Sequence, residues 1–163
     1  MIFDNSKVNV IDLKKSRFKI SCGHFTILNS KKRENLHGHD YFLSFRLHYS
    51  REEFVDYADI KNEIEGVCSI YDEKILLPDR SKHLQINSQG VNIEARFLTD
   101  FFSFPEADVL RLPIENITIE ELCRFLFEQI VNKKFVQRYH VRMARLKIEN
   151  NGQASYFGMD YDE

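Results

Sequence analysis

Three histidines carry the clearest sign of chemistry in this sequence. His37 and His39 stand two residues apart in the run His37-Gly38-His39. Side chains at positions i and i+2 of a β-strand share a face, so both imidazoles can approach one point. His24 ends the preceding strand-like segment, and antiparallel pairing can bring it to the same place. Three imidazoles with an open fourth position are typical of a catalytic zinc site, and the alternative is a chance pair on a strand.

Two strands are predicted to hold these histidines. From Arg17 to His24 the residues alternate between apolar and polar, and the segment from Tyr41 to Tyr49 alternates in the same way. Such a period of two is typical of a half-buried strand. A short polar stretch, residues 29–35, separates the two segments. We therefore expect them to pair antiparallel.

Two amphipathic helices follow from spacings of three and four between apolar residues. Asp56 or Asp59 can cap the start of the first helix. The second helix begins at Thr118, which stands at capping-box spacing from Glu121. The apolar stripe of the first helix consists of Ile60, Ile64, Val67, Cys68 and Tyr71.

Further strands complete the predicted fold. Residues 84–104 contain a hairpin turning near Gly90, with a third segment that can extend its edge. Residues 141–157 read as a closing pair of strands around the turn Asn150-Asn151-Gly152. The order of the elements predicts an α+β fold in one domain over residues 1–163. Its antiparallel sheet carries both helices on one face.

Composition excludes several classes of protein. The 163 residues have a formal net charge of −2, which favours neither nucleic acid nor an anionic membrane as a partner. No stretch approaches the length of a membrane span, and the first residues lack the apolar core of a signal peptide. The three cysteines are widely spaced and odd in number, which favours a reducing compartment. We expect a cytoplasmic protein.

The motifs together resemble the 6-pyruvoyltetrahydropterin synthase and 6-carboxytetrahydropterin synthase family. They are, in order, ISCGH, ENLHGHDY, VDYADIK, YDEKILLP, TIEEL and KIENNGQASYFG, and they extend over nearly the whole chain. The resemblance implies the tunnelling fold, a four-stranded antiparallel sheet with two helices on one face. It also implies zinc bound by His24, His37 and His39, and a pterin substrate. Subunits of the family join edge to edge as trimers or hexamers, with the active site at the subunit boundary.

One departure from the usual family pattern concerns the catalytic base. The family's cysteine position is occupied by Arg33, and Glu34 gives the spacing E-x-x-H-G-H instead. This resembles a branch in which glutamate replaces the cysteine. That branch cleaves the side chain of 7,8-dihydroneopterin triphosphate to give 6-hydroxymethyl-7,8-dihydropterin, a folate precursor. Glu34 is thus the candidate general base, and the alternative is a solvated loop charge.

A second departure concerns the proton relay. The family's Leu-Asp-His is Tyr71-Asp72-Glu73 here, so two carboxyl groups stand in place of an Asp–His pair. They can share a proton if one pKa rises, or Glu73 can simply face solvent at a helix end. Cys22 is either a substitute thiol near the metal or a small core residue.

The resemblance also implies where the substrate binds. Glu149 is expected to accept hydrogen bonds from the guanidine-like edge of the pterin, unless it is a surface strand charge beside Lys147. Thr118 can contact the pterin as well as cap its helix. Lys31, Lys32 and Arg33 can receive the triphosphate, although such runs are usually solvated.

Two other functions stay open at this point. One is the 6-carboxytetrahydropterin synthase reaction of the queuosine pathway, against which the missing thiol and the missing Asp–His pair both count. The other is a family member that binds zinc and a pterin without catalysis. Glu34 distinguishes these functions, since only an enzyme needs a carboxylate aimed at the substrate beside the metal.

Overall fold

A six-stranded sheet forms the centre of the molecule in a computed structural model, which describes residues 8–161. Its strands lie in the order β11-β10-β4-β1-β5-β9. The first seven residues, where no signal peptide was expected, lie outside the described residues. The six strands are β1 (Val8–His24), β4 (His37–Ser50), β5 (Lys74–Pro78), β9 (Val109–Leu112), β10 (Val141–Asn150) and β11 (Gln153–Asp160).

Helices cover one face of this sheet and close the main core. Helix α1 spans Tyr57–Tyr71, α2 spans Ile119–Ile130, and a short third helix, α3, spans Lys133–Arg138. The apolar stripes of α1 and α2 are buried against alternate residues of β1, β4 and β10, as the periodicity of those segments predicts. Among residues 8–161, none of the helices has the length and apolar content needed to cross a membrane.

The strands predicted to carry the histidines pair as expected. Strands β1 and β4 are antiparallel, with His24 opposite His37 and Cys22 opposite His39. Directly opposed residues project from the same face of a sheet. All three imidazoles therefore lie at one end of the sheet, on the face that packs against the helices.

The sheet is larger than the predicted four antiparallel strands, and it is mixed. Strand β5 pairs parallel with β1, and β9 pairs parallel with β5. Leu76 and Leu77 of β5 are both fully buried, so this strand is apolar on both faces and has no alternation. A short apolar run of this kind cannot be assigned from periodicity alone, which is why the sequence did not predict this strand.

The predicted hairpin over residues 84–104 is a separate three-stranded antiparallel sheet, which we call the insertion sheet. It consists of β6 (Gln85–Gln89), β7 (Asn92–Phe97) and β8 (Asp100–Pro105), and a 3₁₀ turn (Glu106–Asp108) connects it to β9. The expected extra edge strand is thus confirmed. The insertion sheet covers a second hydrophobic core that contains Phe25, Ile27, Leu77, Leu84, Ile93, Ala95, Phe97 and Val109.

Both helices begin at side-chain caps. Asp56 caps α1 by accepting the N–H of Ala58 at 2.8 Å, which decides between the two candidates. Thr118 Oγ1 accepts the N–H of Glu121 at 3.3 Å at the start of α2. The Glu121 carboxylate accepts the N–H of Glu115 at 3.1 Å, so the capping box is formed in one direction and α2 is tied to the preceding loop.

Replacement of Thr118 by alanine is expected to lower the free energy of unfolding by about 1 kcal/mol, because the N–H of Glu121 loses its acceptor. Thr118→Ser keeps the hydroxyl and should keep the stability. Urea unfolding of the three proteins measures both effects. Equal stability of the alanine variant and the wild type would show that the cap is dispensable.

Candidate metal centre

His24, His37 and His39 lie together at the end of the sheet. Their candidate ligand atoms are all within 4.8 Å of one another, and the Nε2 atoms of His37 and His39 are 2.9 Å apart. His24 is 2% exposed, whereas the other two rings are partly open to solvent. This arrangement has a buried floor and an accessible mouth.

The hydrogen bonds of the three rings fit a metal ion. His37 Nδ1 is 2.6 Å from the carbonyl oxygen of Asn35, to which it donates, so its Nε2 keeps a free lone pair. His39 Nδ1 is 2.6 Å from Nδ2 of the Asn150 side chain. With that amide flipped, its Oδ1 accepts a hydrogen bond from Nδ1–H, and His39 Nε2 is then available as a ligand atom. His24 Nδ1 is fully buried and has no hydrogen-bond partner among residues 8–161. A buried polar atom without a partner is costly, and a metal ion would provide one.

Burial and the neighbouring His37 and His39 lower the pKa of His24 to about 4. An imidazole in the unfolded chain titrates near 6.5. The unfolded chain therefore binds more protons between these values, and stability must fall as the pH is lowered from 7 to 4. His24 is neutral at physiological pH, which is the form that binds metals.

We expect this single site to cost the metal-free protein up to about 3 kcal/mol of unfolding free energy by pH 4. Urea unfolding in the presence of a chelator, at pH 7, 5.5 and 4, measures the loss. His24→Gln should have a shallower pH dependence, while the exposed His83→Gln should follow the wild type. If the unfolding free energy of His24→Gln fell with pH as steeply as that of the wild type, His24 would not be the group that causes the loss.

Glu34 lies beside the metal centre. Its Oε2 is 4.0 Å from His37 Nε2 and accepts the N–H of Thr26 at 3.3 Å. Its own N–H donates to the carbonyl of Thr26 at 2.8 Å. Hydrogen bonding from Thr26 and the nearby His37 hold the pKa of Glu34 below its usual range. The carboxylate is thus ionised and able to accept a proton.

Asp72 and Glu73 lie across β1 from this group. Asp72 Oδ1 accepts the N–H of Ser21 at 2.7 Å, and the N–H of Glu73 donates to the carbonyl of Ser21 at 2.7 Å. Glu73 has a φ of 57°, the left-handed region that is unfavourable for a non-glycine residue. Its side chain is exposed and lines a cleft of about 620 Å³ that also reaches His39.

The same cleft is lined by Asp40 and Asp108 together with Glu73, and also by the cationic Lys74. Cys22 forms part of its floor, although its side chain is buried in the main core. Burial, together with Asp40 and Asp72, raises the pKa of the Cys22 thiol to about 12. Cys22 is therefore a protonated thiol at neutral pH, which fits the core alternative and not a substitute catalytic thiolate.

Glu149 lies apart from the histidines within a single chain. It pairs with Phe42 across β10 and β4, so its side chain projects from the sheet face opposite to that of His39. Its carboxylate forms ion pairs with Lys14, at 2.9 Å, and with Lys147. These two ammonium groups hold the pKa of Glu149 at about 2.

The predicted phosphate-binding residues separate into two groups. Lys31 and Lys32 are exposed at the tip of the β2–β3 hairpin (Ile27–Asn29 and Lys32–Arg33). Arg33 instead turns inward and pairs with Asp100 of the insertion sheet at 2.6 Å. A guanidinium with that partner is poorly placed to receive a triphosphate.

Residues 13–158 match the family model described as 6-pyruvoyl tetrahydropterin synthase. The chain belongs to this family. The resemblance drawn from the motifs is therefore confirmed at the family level. Over 102 residues, the chain is 28% identical to a Methanocaldococcus jannaschii protein provisionally named 6-carboxy-5,6,7,8-tetrahydropterin synthase. That match includes 60% of this chain and 63% of the relative, slightly less than two thirds of its length.

Solved structures of the family share the fold. The 6-pyruvoyl tetrahydropterin synthases of Plasmodium falciparum and Plasmodium vivax each give a TM-score of 0.86 at 23% identity, covering 95% of this chain and 99% of theirs. Two further P. vivax structures, each with a TM-score of 0.85, carry alanine or cysteine in place of a glutamate described as a catalytic residue. The mixed sheet with its helices is thus the architecture of pterin synthases.

Two side chains beside the histidines, those of Thr26 and Asn150, were not predicted from the sequence, and Arg33 was predicted only in a different role, as a phosphate-binding residue. Asn150 was assigned to a turn, but its side chain is buried against His39. Thr26 holds both ends of Glu34, and Arg33 joins the same loop to the insertion sheet. Asn150 directly follows Glu149 on a strand, so its side chain must lie on the opposite face of the sheet, which is the face of His39. This alternation is the signal that could have identified Asn150 from the sequence.

Proposed function

We propose that this chain is a zinc-dependent pterin enzyme that acts on the side chain of 7,8-dihydroneopterin triphosphate and gives 6-hydroxymethyl-7,8-dihydropterin. The observation that carries the proposal is the position of Glu34. An ionised carboxylate lies 4.0 Å from His37 Nε2. Most members of the family have a cysteine shortly before the His-Gly-His motif. This chain has no cysteine there, and Glu34 would take its role.

Zinc is the metal that suits this set of donors. Three imidazoles with a fourth position open to solvent are the ligand set of a catalytic zinc site, and His24, His37 and His39 would hold the ion. Asn35 and Asn150 would fix the two outer rings through their Nδ1 atoms. Bound zinc supplies Lewis-acid polarisation of the side-chain oxygens of the substrate.

Glu34 is the group that moves the proton in this proposal. It takes the proton of the substrate hydroxyl on the second side-chain carbon, and that oxygen forms a carbonyl. The bond between the first and second side-chain carbons breaks, and its electron pair enters the ring C=N system. The first carbon then takes up a proton. The products are 6-hydroxymethyl-7,8-dihydropterin and a phosphorylated two-carbon aldehyde, so no oxidant or reductant is needed.

The P. vivax enzyme supports this role for Glu34, because a glutamate of that protein is described as catalytic. Glu73 is proposed as a second acidic group of the site, since its carboxylate lines the cleft that reaches His39. Asp72, bound to the Ser21 N–H, would position Glu73 and not exchange protons itself. Thr118 and Glu149 stay proposed pterin contacts, and Glu149 must first leave Lys14 or Lys147.

The second candidate is the 6-carboxytetrahydropterin synthase reaction. The observation that favours it is the name of the M. jannaschii relative, with 28% identity over 102 residues. A family member that binds a pterin without turnover is the third outcome. All three share the histidines, and they differ in the product.

The test is incubation of the zinc-loaded protein with 7,8-dihydroneopterin triphosphate, followed by chromatography of the pterins. Formation of 6-hydroxymethyl-7,8-dihydropterin supports the proposal. Formation of the 6-carboxy product supports the second candidate. Return of unchanged substrate with zinc still bound overturns the catalytic claim and leaves a binding role.

We further propose that the chain forms a homo-oligomer, a trimer or a hexamer, through its sheet edges. Strands β9 and β11 end the six-stranded sheet, and an unpaired edge is a template for another strand. Tyr156 and Met159 of β11 are 68% and 48% exposed, which is unusual for large apolar side chains at a free edge. Sedimentation of the wild type and of Tyr156→Lys tests this assembly, and a monomeric wild type would exclude it.

A further inference from the structure

We infer that Arg33 is a positioning residue, and that through it the insertion sheet holds Glu34 beside the histidines. The expected effect on catalysis rests on the proposed function. The claim that Arg33 holds the Glu34 peptide in place does not. Arg33 immediately precedes Glu34, yet its side chain is only 16% exposed, whereas the Glu34 side chain is 43% exposed. A long cationic side chain is rarely buried unless it is paired.

The Arg33 guanidinium is held on three sides. Its Nε donates to Asp100 Oδ2 at 2.9 Å, and its Nη2 lies 2.6 Å from the same oxygen. Its Cζ lies 5.3 Å from the ring centroid of Phe25 and 4.7 Å from that of Phe102. Two of these partners, Asp100 and Phe102, belong to β8 of the insertion sheet. The contacts combine a charge-assisted pair with cation–π attraction.

The fourth contact of Arg33 reaches the catalytic loop itself. Nη1 donates to the backbone carbonyl of Glu34 at 2.7 Å. The backbone N–H of Glu34 donates to Thr26, and the Thr26 N–H donates to its carboxylate. The Glu34 peptide is therefore fixed from both sides, by Arg33 at its carbonyl and by Thr26 at its amide. Glu34 directly follows β3, which is only two residues long and pairs with β2 through Arg33 and Ile27.

The geometry of guanidinium makes Arg33 specific for this task. One planar group binds Asp100 with two nitrogens and the Glu34 carbonyl with the third, while its faces stack on aromatic rings. A lysine ammonium cannot make these contacts at the same time. Loss of Arg33 leaves the insertion sheet folded on its own core, but it releases the peptide that carries the base. A misplacement of about 1 Å at such a group costs about 100-fold in rate.

Three variants test the inference: Arg33→Met, Arg33→Lys and Asp100→Asn. Arg96→Met is the matched control, because Arg96 also stacks on a ring of the insertion sheet, at 4.4 Å from Phe101, without reaching Glu34. The first measurement is amide exchange of the Glu34 N–H by NMR, which needs no substrate. We expect exchange at least about 10-fold faster in the three test variants and unchanged in the control.

The second measurement is steady-state kinetics with the zinc-loaded protein. We expect kcat to fall about 10- to 100-fold with KM and zinc content unchanged, since binding groups are untouched. Wild-type exchange at Glu34 in both Arg33→Met and Asp100→Asn would overturn the inference. Should the wild type not turn over the substrate, the proposed function fails, and the exchange measurement alone still decides whether Arg33 holds Glu34.

Discussion

Replacement of Glu34 by glutamine is expected to reduce turnover of 7,8-dihydroneopterin triphosphate by about 10²- to 10⁴-fold, the usual contribution of a general base. Glutamine keeps the shape and can still accept the Thr26 N–H, but it cannot take a proton. The zinc content should be unchanged, because Glu34 lies beside the histidines without replacing one of them. Product formation by chromatography and zinc by atomic absorption measure the two effects.

The control for this prediction is Glu128→Gln, an exposed carboxylate in the last turns of α2. It should keep full activity. A Glu34→Gln protein with wild-type turnover would remove Glu34 from the mechanism, and Glu73 would then be the next candidate base. A protein that loses zinc together with activity would instead make Glu34 part of the metal site.

Replacement of His39 by alanine is expected to weaken zinc binding by more than 100-fold, because one of three imidazole ligands is lost. Asn150→Leu should cost less, about 10- to 100-fold, since Asn150 orients His39 Nδ1 without binding the metal. Competition with a chromophoric chelator measures both affinities without any substrate. A larger loss of zinc affinity in His39→Ala than in Asn150→Leu would support His39 as a ligand and Asn150 as the residue that orients it.

The half-buried His48 and the exposed His83 lie outside the cluster, and their alanine variants serve as controls for loss of a histidine elsewhere. Both should bind zinc as the wild type does. An unchanged affinity in His39→Ala would mean that the metal is held by other groups. Equal losses in His39→Ala and Asn150→Leu would show that Asn150 is itself a ligand or that the ring cannot keep its place without it.

The protonation states of the acidic groups near the histidines limit which of them can transfer a proton. Glu34 is ionised at neutral pH, with a pKa below its usual range, and Cys22 remains a protonated thiol. Asp72 already accepts a backbone N–H, so Glu73 is the carboxyl group free to face a substrate in the cleft. A pair of this kind differs from an Asp–His pair because neither member can carry a positive charge.

Much of the geometry of the histidine cluster could be predicted from the sequence, because it depends on local rules. The spacing of His37 and His39 sets their common face, and alternation along two neighbouring segments sets the register that brings His24 to them. The caps at Asp56 and Thr118 also follow from the chain around them. Each of these features needs only a few consecutive residues and the geometry of one strand pair or one helix.

Other features were decided by tertiary structure alone, because they join residues that are far apart in the chain. Strand β5 became a parallel neighbour of β1 only through burial on both of its faces. Arg33 turned inward because Asp100, 67 residues away, offers it a charge. The side chain of Asn150 contacts that of His39, which is 111 residues away in the chain, and Glu149 pairs with Lys14, which is 135 residues away. Hydrophobic periodicity predicts on which face of a strand or helix a side chain lies, but it does not predict which distant residue will contact that side chain.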